Sequence, residues 1–385
     1  MGNDGARARR TLVIAGMAHA LHDGFTDLIY VMLPVWQAEF ALSYSVLALL
    51  RGLYAGTMAS LQLPASRLAT KFGGRTVLAL GTLVAALGYA LTGFSGGLLG
   101  LGLCLALSGT GASTQHPIAS AAVSRAYGVA ARGPLGTYNF AGDLGKAAIP
   151  ALGSLLLGLV AWRSALLLIA ALGVVVAALV FLLMPQGNGA AAAGARSGGG
   201  KGSDRGGFRL LFAIGVLDAG VRMGLLTFLP FLLREKGASM PVIGLALALV
   251  FLGGAAGKFA CGWLGARLGV LATVVVTEGG TAAAILALLA LPLGPALPLL
   301  PLLGLMLNGT SSVLYGTVPE LTAAADTERA FALFYVGTIG SGALTPVLYG
   351  LLGDAAGPHW AVAATAFAAL TTIPLAMALA PRLPQ

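Results

Sequence analysis

Apolar residues form long runs along this chain, and the breaks between the runs hold glycine, proline or charged residues. A helix needs about 20 predominantly apolar residues to cross the hydrocarbon core of a bilayer. Twelve runs reach that length, so the pattern predicts an all-α membrane protein with twelve transmembrane helices. The predicted helices span residues 11–38, 43–65, 76–95, 98–122, 133–158, 162–184, 208–233, 241–264, 271–291, 296–318, 329–352 and 358–380.

The longest break, residues 185–207, divides the chain into two parts of six predicted helices each. It is rich in Gly and Ala and contains Arg196, Lys201 and Arg205, a composition that is typical of a flexible linker. We therefore expect an N-terminal six-helix bundle over 1–184, a cytoplasmic linker over 185–207 and a C-terminal six-helix bundle over 208–385.

The two parts repeat each other at a constant spacing of 196 residues. The matching features are Leu33-Pro34 with Leu229-Pro230, LATKFGG from Leu68 with LGARLGV from Leu264, and Pro150 with Pro346. Three matches at one spacing indicate an internal duplication. Parallel repeats of this kind are typical of secondary transporters.

Composition strengthens the membrane assignment. The 385-residue chain is 58% hydrophobic and only 9% charged, with a mean hydropathy of +0.91. A soluble domain carries roughly a quarter charged residues. The 57 glycines agree with this assignment, because glycine allows membrane helices to pack closely.

The net charge of +9 raises the question of a nucleic-acid partner, but the basic residues lie in short loops instead of forming one patch. If both termini are cytoplasmic, fifteen loop Lys and Arg residues fall on that side and three on the other. This bias predicts cytoplasmic termini in a cell inner membrane, and no nucleic-acid partner. The N-terminal stretch RARRTLVIAG could alternatively be a twin-arginine or secretory signal, but it lacks a small-residue cleavage site.

Several ionisable residues lie inside the predicted helices, where a charge costs about 2.5–3.5 kcal/mol at the bilayer centre. They are Asp23, Asp27, Arg51, Asp143, Lys146, Asp218, Arg222, Lys258 and Glu278. This cost needs a functional reason, so we expect a polar pathway through the protein. The four bases among them favour a small anionic or amphipathic organic substrate.

Two of these acids share a helix face with a base: Asp143 and Lys146 are spaced i,i+3, and Asp218 and Arg222 are spaced i,i+4. Either pair could simply neutralise itself, or it could open to admit an anion. Arg51 has no acid within one turn of its own helix. It is predicted to bridge Asp27, or to grip an anionic group of the substrate.

The stretch MAHALHDGFTDLIYVMLP places Asp23 and Asp27 one turn apart in an apolar helix. Two like charges so close disfavour double ionisation, so one carboxyl is expected to gain and lose a proton during transport. We assign proton coupling to Asp23 and Asp27, with Asp23 the better candidate. The alternative is that Asp23 only caps or bends the helix at Gly24. His116, before Pro117, could similarly relay protons or bind substrate, or only satisfy a proline bend.

Twelve helices, a basic linker and the repeat resemble the major facilitator superfamily. Its loop between helices 2 and 3 is matched here by ASRLATKFGGR at Lys71, Gly73 and Arg75, with Thr70 at the position of the family's gating aspartate. The resemblance implies a gating role for Lys71, Gly73, Arg75 and Arg267. It also places every embedded charge except Glu278 on helices that line the central cavity, so Glu278 is expected to be structural.

Helix 5, GTYNFAGDLGKAAIPALGS, resembles the superfamily's antiporter motif at Gly136, Gly145, Pro150 and Gly153, although small residues also favour plain helix packing. AHALHDGFTDLIYVMLPVWQAEFALS, GTGASTQHP and YGTVPEL are similar to the fosmidomycin-resistance branch. That branch exports a small phosphonate drug in exchange for protons.

The resemblance and the embedded charges together predict a monomeric, proton-coupled efflux transporter that works by alternating access. The expected substrate-binding residues are Arg51, His116, Asn139, Asp143, Lys146, Asp218, Arg222 and Tyr315. Uptake or uniport of an organic anion is the first alternative, and a non-transporting receptor or scaffold is the second. We expect no enzymatic activity, cofactor or metal; the sequence has no phosphate-binding loop of the GxxxxGK[ST] type.

Overall fold

The computed structural model describes residues 2–186, 204–323 and 326–383, and helices dominate these ranges. The prediction of an all-α membrane protein is confirmed. The helices are α1 (Gly2–Phe40), α2 (Tyr44–Ser60), α3 (Gln62–Phe72), α4 (Gly74–Thr92), α5 (Leu98–Ala112), α6 (Gln115–Tyr127), α7 (Arg132–Leu157), α8 (Trp162–Leu183), α9 (Arg205–Glu235), α10 (Met240–Ala290), α11 (Leu293–Ala296), α12 (Leu300–Thr317), α13 (Thr327–Ala356) and α14 (Pro358–Leu379).

Within the described ranges, nine helical stretches are long and apolar enough to cross a membrane by themselves, and the bent pair α2–α3 would make a tenth. The other two predicted spans correspond to α1 and to α5 with α6. The 39-residue helix α1 is long enough, but it carries the polar stretch around Asp23. The helices α5 and α6 are each too short to span alone.

The helices 43–65 and 98–122 were each predicted to be continuous, and this prediction was wrong. The first breaks at Leu61 with a bend of 43°, and the second breaks at Ser113 and Thr114. A proline follows each break, at Pro64 and Pro117. Proline has no N–H for the carbonyl four residues earlier and its ring clashes there, so the helix yields about one turn before it.

The backbone supports the duplication that the sequence predicts. Gly73, between α3 and α4, has φ = 87°, and Gly269, which turns α10 in its middle, has φ = 77°. These two residues are 196 positions apart, as are Ala41 (φ 52°) and Gly237 (φ 86°). Positive φ is rare outside glycine, so the matched positions indicate the same chain reversal in both parts.

Contacts divide the chain into two compact units, and each unit takes one helix end from the other half of the sequence. Unit 1 comprises Met1–Leu42, Leu53–Gly194 and Met240–Ala248. Unit 2 comprises Ser43–Gly52, Ala195–Ser239 and Leu249–Gln385. The simpler division into bundles 1–184 and 208–385 stays a prediction.

In unit 1, α1 packs against α6, α7 and α8, and α4 packs against α5 and α8. The helices α1 and α7 approach backbone to backbone: a Cβ at Gly145 would collide with the carbonyl oxygen of Ala20. A Cβ at Gly153 would likewise collide with the side chain of Leu28. Two of the glycines that resemble the antiporter motif therefore serve close helix packing.

In unit 2, α9 packs against α12, α13 and α14 around a core that includes Leu211, Ile214 and Phe334. The helix α9 begins at Arg205, three residues before the predicted start at 208. The side chain of Asp204 explains this start, because it accepts hydrogen bonds from the backbone N–H groups of Gly206 and Gly207. Most of the predicted linker, residues 187–203, lies outside the described residues.

Candidate functional site

The polar stretch of α1 is buried inside unit 1. His19, His22, Asp23 and Asp27 are each less than a tenth exposed. The close approach of α1 and α7 at Gly145 brings the next residue of α7, Lys146, beside Asp23. The packing of α7 against α1 thus places the base Lys146 beside the acid Asp23, although the two residues are far apart in the sequence.

Asp23 is the centre of a cluster that the structure assembles from three helices. One carboxylate oxygen, Oδ2, lies 3.3 Å from Lys146 Nζ and 3.4 Å from His19 Nε2. The other, Oδ1, lies 3.7 Å from His116 Nε2 on α6. Lys146 Nζ also lies 3.6 Å from Asp143 Oδ1. We call these five residues the Asp23 cluster.

The members of the Asp23 cluster differ in exposure. The side chains of Asp23 and Asp143 are each about 10% exposed, whereas those of Lys146 and His116 are 31% and 42% exposed. The cluster therefore has a closed acidic side and an open basic side. An open ammonium and an open imidazole can meet a solute without moving helices.

Neighbouring side chains fix the orientation of His19. Its Nδ1 lies 2.9 Å from the carbonyl oxygen of Tyr138, and its ring stacks on the Tyr138 ring with centroids 4.1 Å apart. Gln115 Nε2 donates to the Tyr138 hydroxyl at 3.2 Å. A carbonyl can only accept, so Nδ1 carries a proton and Nε2 points at Asp23.

His22 belongs to a separate, neutral arrangement. Its Nε2 lies 2.9 Å from the hydroxyl of Thr82, and that hydroxyl donates to the carbonyl of Leu78. His22 Nε2 must then be the donor. Its Nδ1 is buried with no hydrogen-bond partner among the described residues, and an N–H left unpaired there would be costly. The imidazole is therefore neutral, with its proton on Nε2.

The donor atoms of His19, Asp23 and His116 all lie within 4.8 Å of one another, as metal ligands would. Lys146 competes with a metal for the same carboxylate, because its ammonium already lies 3.3 Å from Asp23 Oδ2. We assign no metal to these residues.

Unit 2 contains a second ionisable cluster. Arg222 Nη2 donates to Asp218 Oδ2 at 2.9 Å, so the predicted i,i+4 pair is formed. The carboxyl of Glu278, on α10, contacts the carboxyl of Asp218 and accepts from the Thr310 hydroxyl at 2.6 Å. Glu278 was expected to be structural because its helix was assigned to the periphery, and this role stays a prediction. The sequence shows that Glu278 places a costly charge in a membrane helix, but it does not show toward which neighbouring helix the side chain points.

Arg51 lies near the middle of α2, in the part of that helix that belongs to unit 2, and is 6% exposed. Its Nη1 donates to the carbonyl of Gly342 at 3.1 Å, and its Nη2 lies 3.1 Å from the sulfur of Met223. Asp27 is equally buried, in unit 1. The Asp27–Arg51 bridge and the anion-gripping role of Arg51 stay predictions.

Two other predicted substrate residues are not members of the Asp23 cluster. Asn139 is exposed on α7. Tyr315, in unit 2, donates or accepts a hydrogen bond with Thr338 at 3.1 Å and packs against Phe334 and Tyr335. Their assignment to a substrate site stays a prediction.

The predicted gating residues lie at the helix breaks. Gly73 makes the turn between α3 and α4, which explains why the motif needs glycine there. Arg75 lies over the Phe181 ring and lines a cavity of about 390 Å³ with Arg7 and Arg125. Lys71 is exposed, and so is Arg267, which is in α10. The gating role of these residues stays a prediction.

Long apolar helices in two units define a multi-pass membrane protein, and buried ionisable groups in each unit are typical of membrane transport proteins. The sequence profile of the Major Facilitator Superfamily matches residues 15–217 and 210–385, so the chain belongs to this superfamily. A search of curated protein sequences found no match.

Solved structures with the same fold include a bacterial homologue of the human lysosomal transporter Spinster, in two inward-facing forms. The occupied form has a TM-score of 0.80 at 15% identity, covering 96% of each chain. The unoccupied form has a TM-score of 0.78 at 16% identity, covering 98% of each chain. A mutant of the nucleoside transporter NupG has a TM-score of 0.78 at 11% identity, covering 97% of this chain and 99% of that one. At these identities the likeness establishes the fold alone.

Proposed function

We propose that this chain is a proton-coupled carrier of small anionic or amphipathic organic molecules, drug-like or phosphonate-like. In this proposal it acts as a monomer in a cell inner membrane, with both termini in the cytoplasm, and exports its substrate by alternating access. Membership of the superfamily supports transport. The resemblance of stretches in α1, in α5 with α6, and at the end of α12 to the fosmidomycin-resistance branch supports efflux in exchange for protons.

The contact between His19 and Asp23 carries the proposal of proton coupling. His19 Nδ1 already donates its proton to the Tyr138 carbonyl. Without a second proton, the Nε2 lone pair would face the Asp23 carboxylate at 3.4 Å in a site that is nearly closed to water. A proton on either Nε2 or the carboxyl group removes this repulsion. The contact is therefore a natural place to bind and release one proton.

The basic side of the Asp23 cluster supports an anionic substrate. Lys146 is shared between the carboxylates of Asp23 and Asp143, at 3.3 and 3.6 Å, and remains partly exposed. A substrate carboxylate or phosphonate could replace one of these partners and keep the ammonium paired. The partly exposed imidazole of His116 offers a second donor beside it.

The same geometry favours a second candidate, uptake of an organic anion together with a proton. Protonation of Asp23 weakens its hold on Lys146 and frees the ammonium for another anion. Proton and anion binding would then assist each other, and linkage makes that assistance reciprocal. Exchange of substrate for protons requires the opposite, that the two ligands compete.

Reconstitution in liposomes with an imposed pH gradient tests both candidates. A panel of organic anions and phosphonates is added while an internal dye follows the proton flux. Export by exchange predicts that protons and substrate move in opposite directions, and cotransport predicts the same direction. Substrate flux without proton flux would contradict proton coupling, and no flux with any member of the panel would favour a receptor or scaffold.

Asp23→Asn is the decisive variant. It keeps the size and polarity of the side chain but cannot ionise, so we expect gradient-driven transport to be abolished, while exchange of labelled for unlabelled substrate continues. Asp326→Asn, the same change at an exposed position, is the matched control. Normal gradient-driven transport by Asp23→Asn would contradict the assignment of Asp23.

A further inference from the structure

Two carboxyl groups meet inside unit 2, and the proposed function uses neither of them. Asp218 lies on α9 and Glu278 on α10, and they are 3% and 2% exposed. Their side chains are within hydrogen-bonding reach of each other. Two ionised carboxylates can only accept hydrogen bonds, so they can bond to each other only if one of them is protonated.

The hydrogen bonds around the pair leave one oxygen without a donor. Arg222 Nη2 donates to Asp218 Oδ2, and the Thr310 hydroxyl donates to Glu278 Oε1. Glu278 Oε2 is buried and has no hydrogen-bond partner among the described residues. A buried acceptor without a donor costs about 1–3 kcal/mol, and more if it is charged. The unpartnered atom belongs to the side chain that faces Asp218.

The pair also lacks one positive charge, because two carboxylates would face a single guanidinium. Among the described residues, the other charged and titratable groups that interact with the two acids are Arg222, on α9 like Asp218, and Tyr315 from α12, whose hydroxyl pairs with Thr338. Arg222 balances one carboxylate. A second negative charge would remain in an apolar interior, where an unpaired charge is expensive.

We propose that Asp218 and Glu278 form a proton-binding site that holds a single proton between them. The proton supplies the missing donor, and it makes the group of Asp218, Glu278 and Arg222 neutral. The ligand is a proton and not a metal cation, because the guanidinium of Arg222 already occupies the cation side of Asp218 at 2.9 Å.

As a step in transport, this inference deepens the proposed function and rests on it: the pair would be a second coupling site in addition to the Asp23 cluster. Loading requires a proton from one side of the membrane, and release returns the pair to two carboxylates and one guanidinium. Occupancy of the site by a proton does not depend on transport and can be measured separately.

Infrared spectroscopy of the purified full chain tests occupancy directly, because a protonated carboxyl group absorbs separately from a carboxylate. We expect a protonated-carboxyl band at neutral pH that is lost in Glu278→Gln, whose amide mimics the protonated acid in shape and donors. Glu235→Gln, the same change at an exposed position at the end of α9, should keep the band. A spectrum of Glu278→Gln identical to that of the unchanged protein would overturn the proposal.

Two more variants keep the test decisive if Glu278→Gln does not fold. Asp218→Asn removes the other partner, and Glu278→Thr introduces the residue found at the equivalent position, 82, of the first half. Each should lose the band for the same reason, and retention of the band in both would overturn the proposal.

Transport measurements separate the role of the site from its occupancy. In liposomes, Glu278→Gln should lose gradient-driven accumulation of substrate and keep substrate exchange. Unimpaired accumulation would refute the coupling role. If the unchanged protein shows the infrared band but no proton-linked flux, the proton site stands and the proposed transport function fails.

Discussion

Equivalent positions of the two halves hold different chemistry. His22 and Thr82 of unit 1 lie 196 residues before Asp218 and Glu278 of unit 2. In unit 1 the imidazole donates to the threonine hydroxyl at 2.9 Å, and both groups are neutral. In unit 2 the same two positions hold two carboxyl groups that face each other.

The difference between the two pairs shows which of them needs an added proton. The unit 1 pair has one donor and one acceptor, so it satisfies itself without any added charge. The unit 2 pair has two acceptors, and it can be satisfied only by a proton. The duplication thus preserved a polar contact between two helices but changed its protonation requirement.

Two ionisable groups of unit 1 have no ionisable counterpart in unit 2. Asp23 and Lys146 correspond to Ala219 and Gly342 in the second half, which cannot carry charge. The Asp23 cluster is therefore specific to unit 1, and it is partly open, whereas the acid pair of unit 2 is closed. The open basic side of the Asp23 cluster can meet a solute, whereas the closed acid pair of unit 2 is accessible only to a small ligand such as a proton.

Removing the base of the open cluster should have the largest effect on stability. Lys146→Ala leaves the carboxylates of Asp23 and Asp143 without their cation. We expect the free energy of unfolding to fall by about 2–3 kcal/mol, below the ~3–5 kcal/mol of a fully buried pair, because water screens the exposed part of the lysine. Thermal melting of the purified protein measures the loss.

Lys71→Ala, which removes an exposed lysine, should leave the melting temperature nearly unchanged. Lys146→Arg keeps the positive charge and should restore most of the stability. An unchanged melting temperature in Lys146→Ala would mean that the carboxylates of Asp23 and Asp143 do not depend on the lysine.

A smaller effect is expected from the neutral pair. Thr82→Val keeps the shape of the side chain but removes the acceptor of His22 Nε2, which leaves a buried N–H unpaired. The expected loss is about 1–2 kcal/mol in the free energy of unfolding. Thr92→Val is a close control on the same helix, because the Thr92 hydroxyl donates to its own helix at Gly88 and otherwise pairs, among the described residues, with the weakly hydrogen-bonding thiol of Cys104. Equal losses in the two variants would contradict the assignment of His22 as the donor.

The helices and their buried charges could be predicted from the sequence, because hydropathy and insertion cost depend on composition alone. The breaks before Pro64 and Pro117 could also have been predicted, since proline acts on its own helix. The contact between Asp23 and Lys146 could not. Spacing along α7 pairs the lysine with Asp143, and only the crossing of α1 and α7 at Gly145 brings Asp23 closer.

Glu278 shows the other limit of the sequence. Its charge was visible, but its partner depends on the rotation of α10 against α9 and α12, which no local spacing encodes. The family pattern assigned its helix to the periphery of the fold, and this obscured the pairing. The repeat offered one signal, since it aligns Asp218 and Glu278 with His22 and Thr82.

The smallest effect concerns the helix starts, where Asp204 caps α9 and the equivalent residue, Ala8, lies inside α1. The Gly207 backbone N–H, followed by Arg382, lowers the pKa of Asp204. This cap therefore stabilises above the ordinary aspartate pKa, about 3.9, and is lost as pH falls through the lowered value. Melting curves of Asp204→Ala should show a small deficit at neutral pH that shrinks in acid. Asp204→Asn can still cap, so an equal deficit there would instead assign the effect to the ion pair with Arg382.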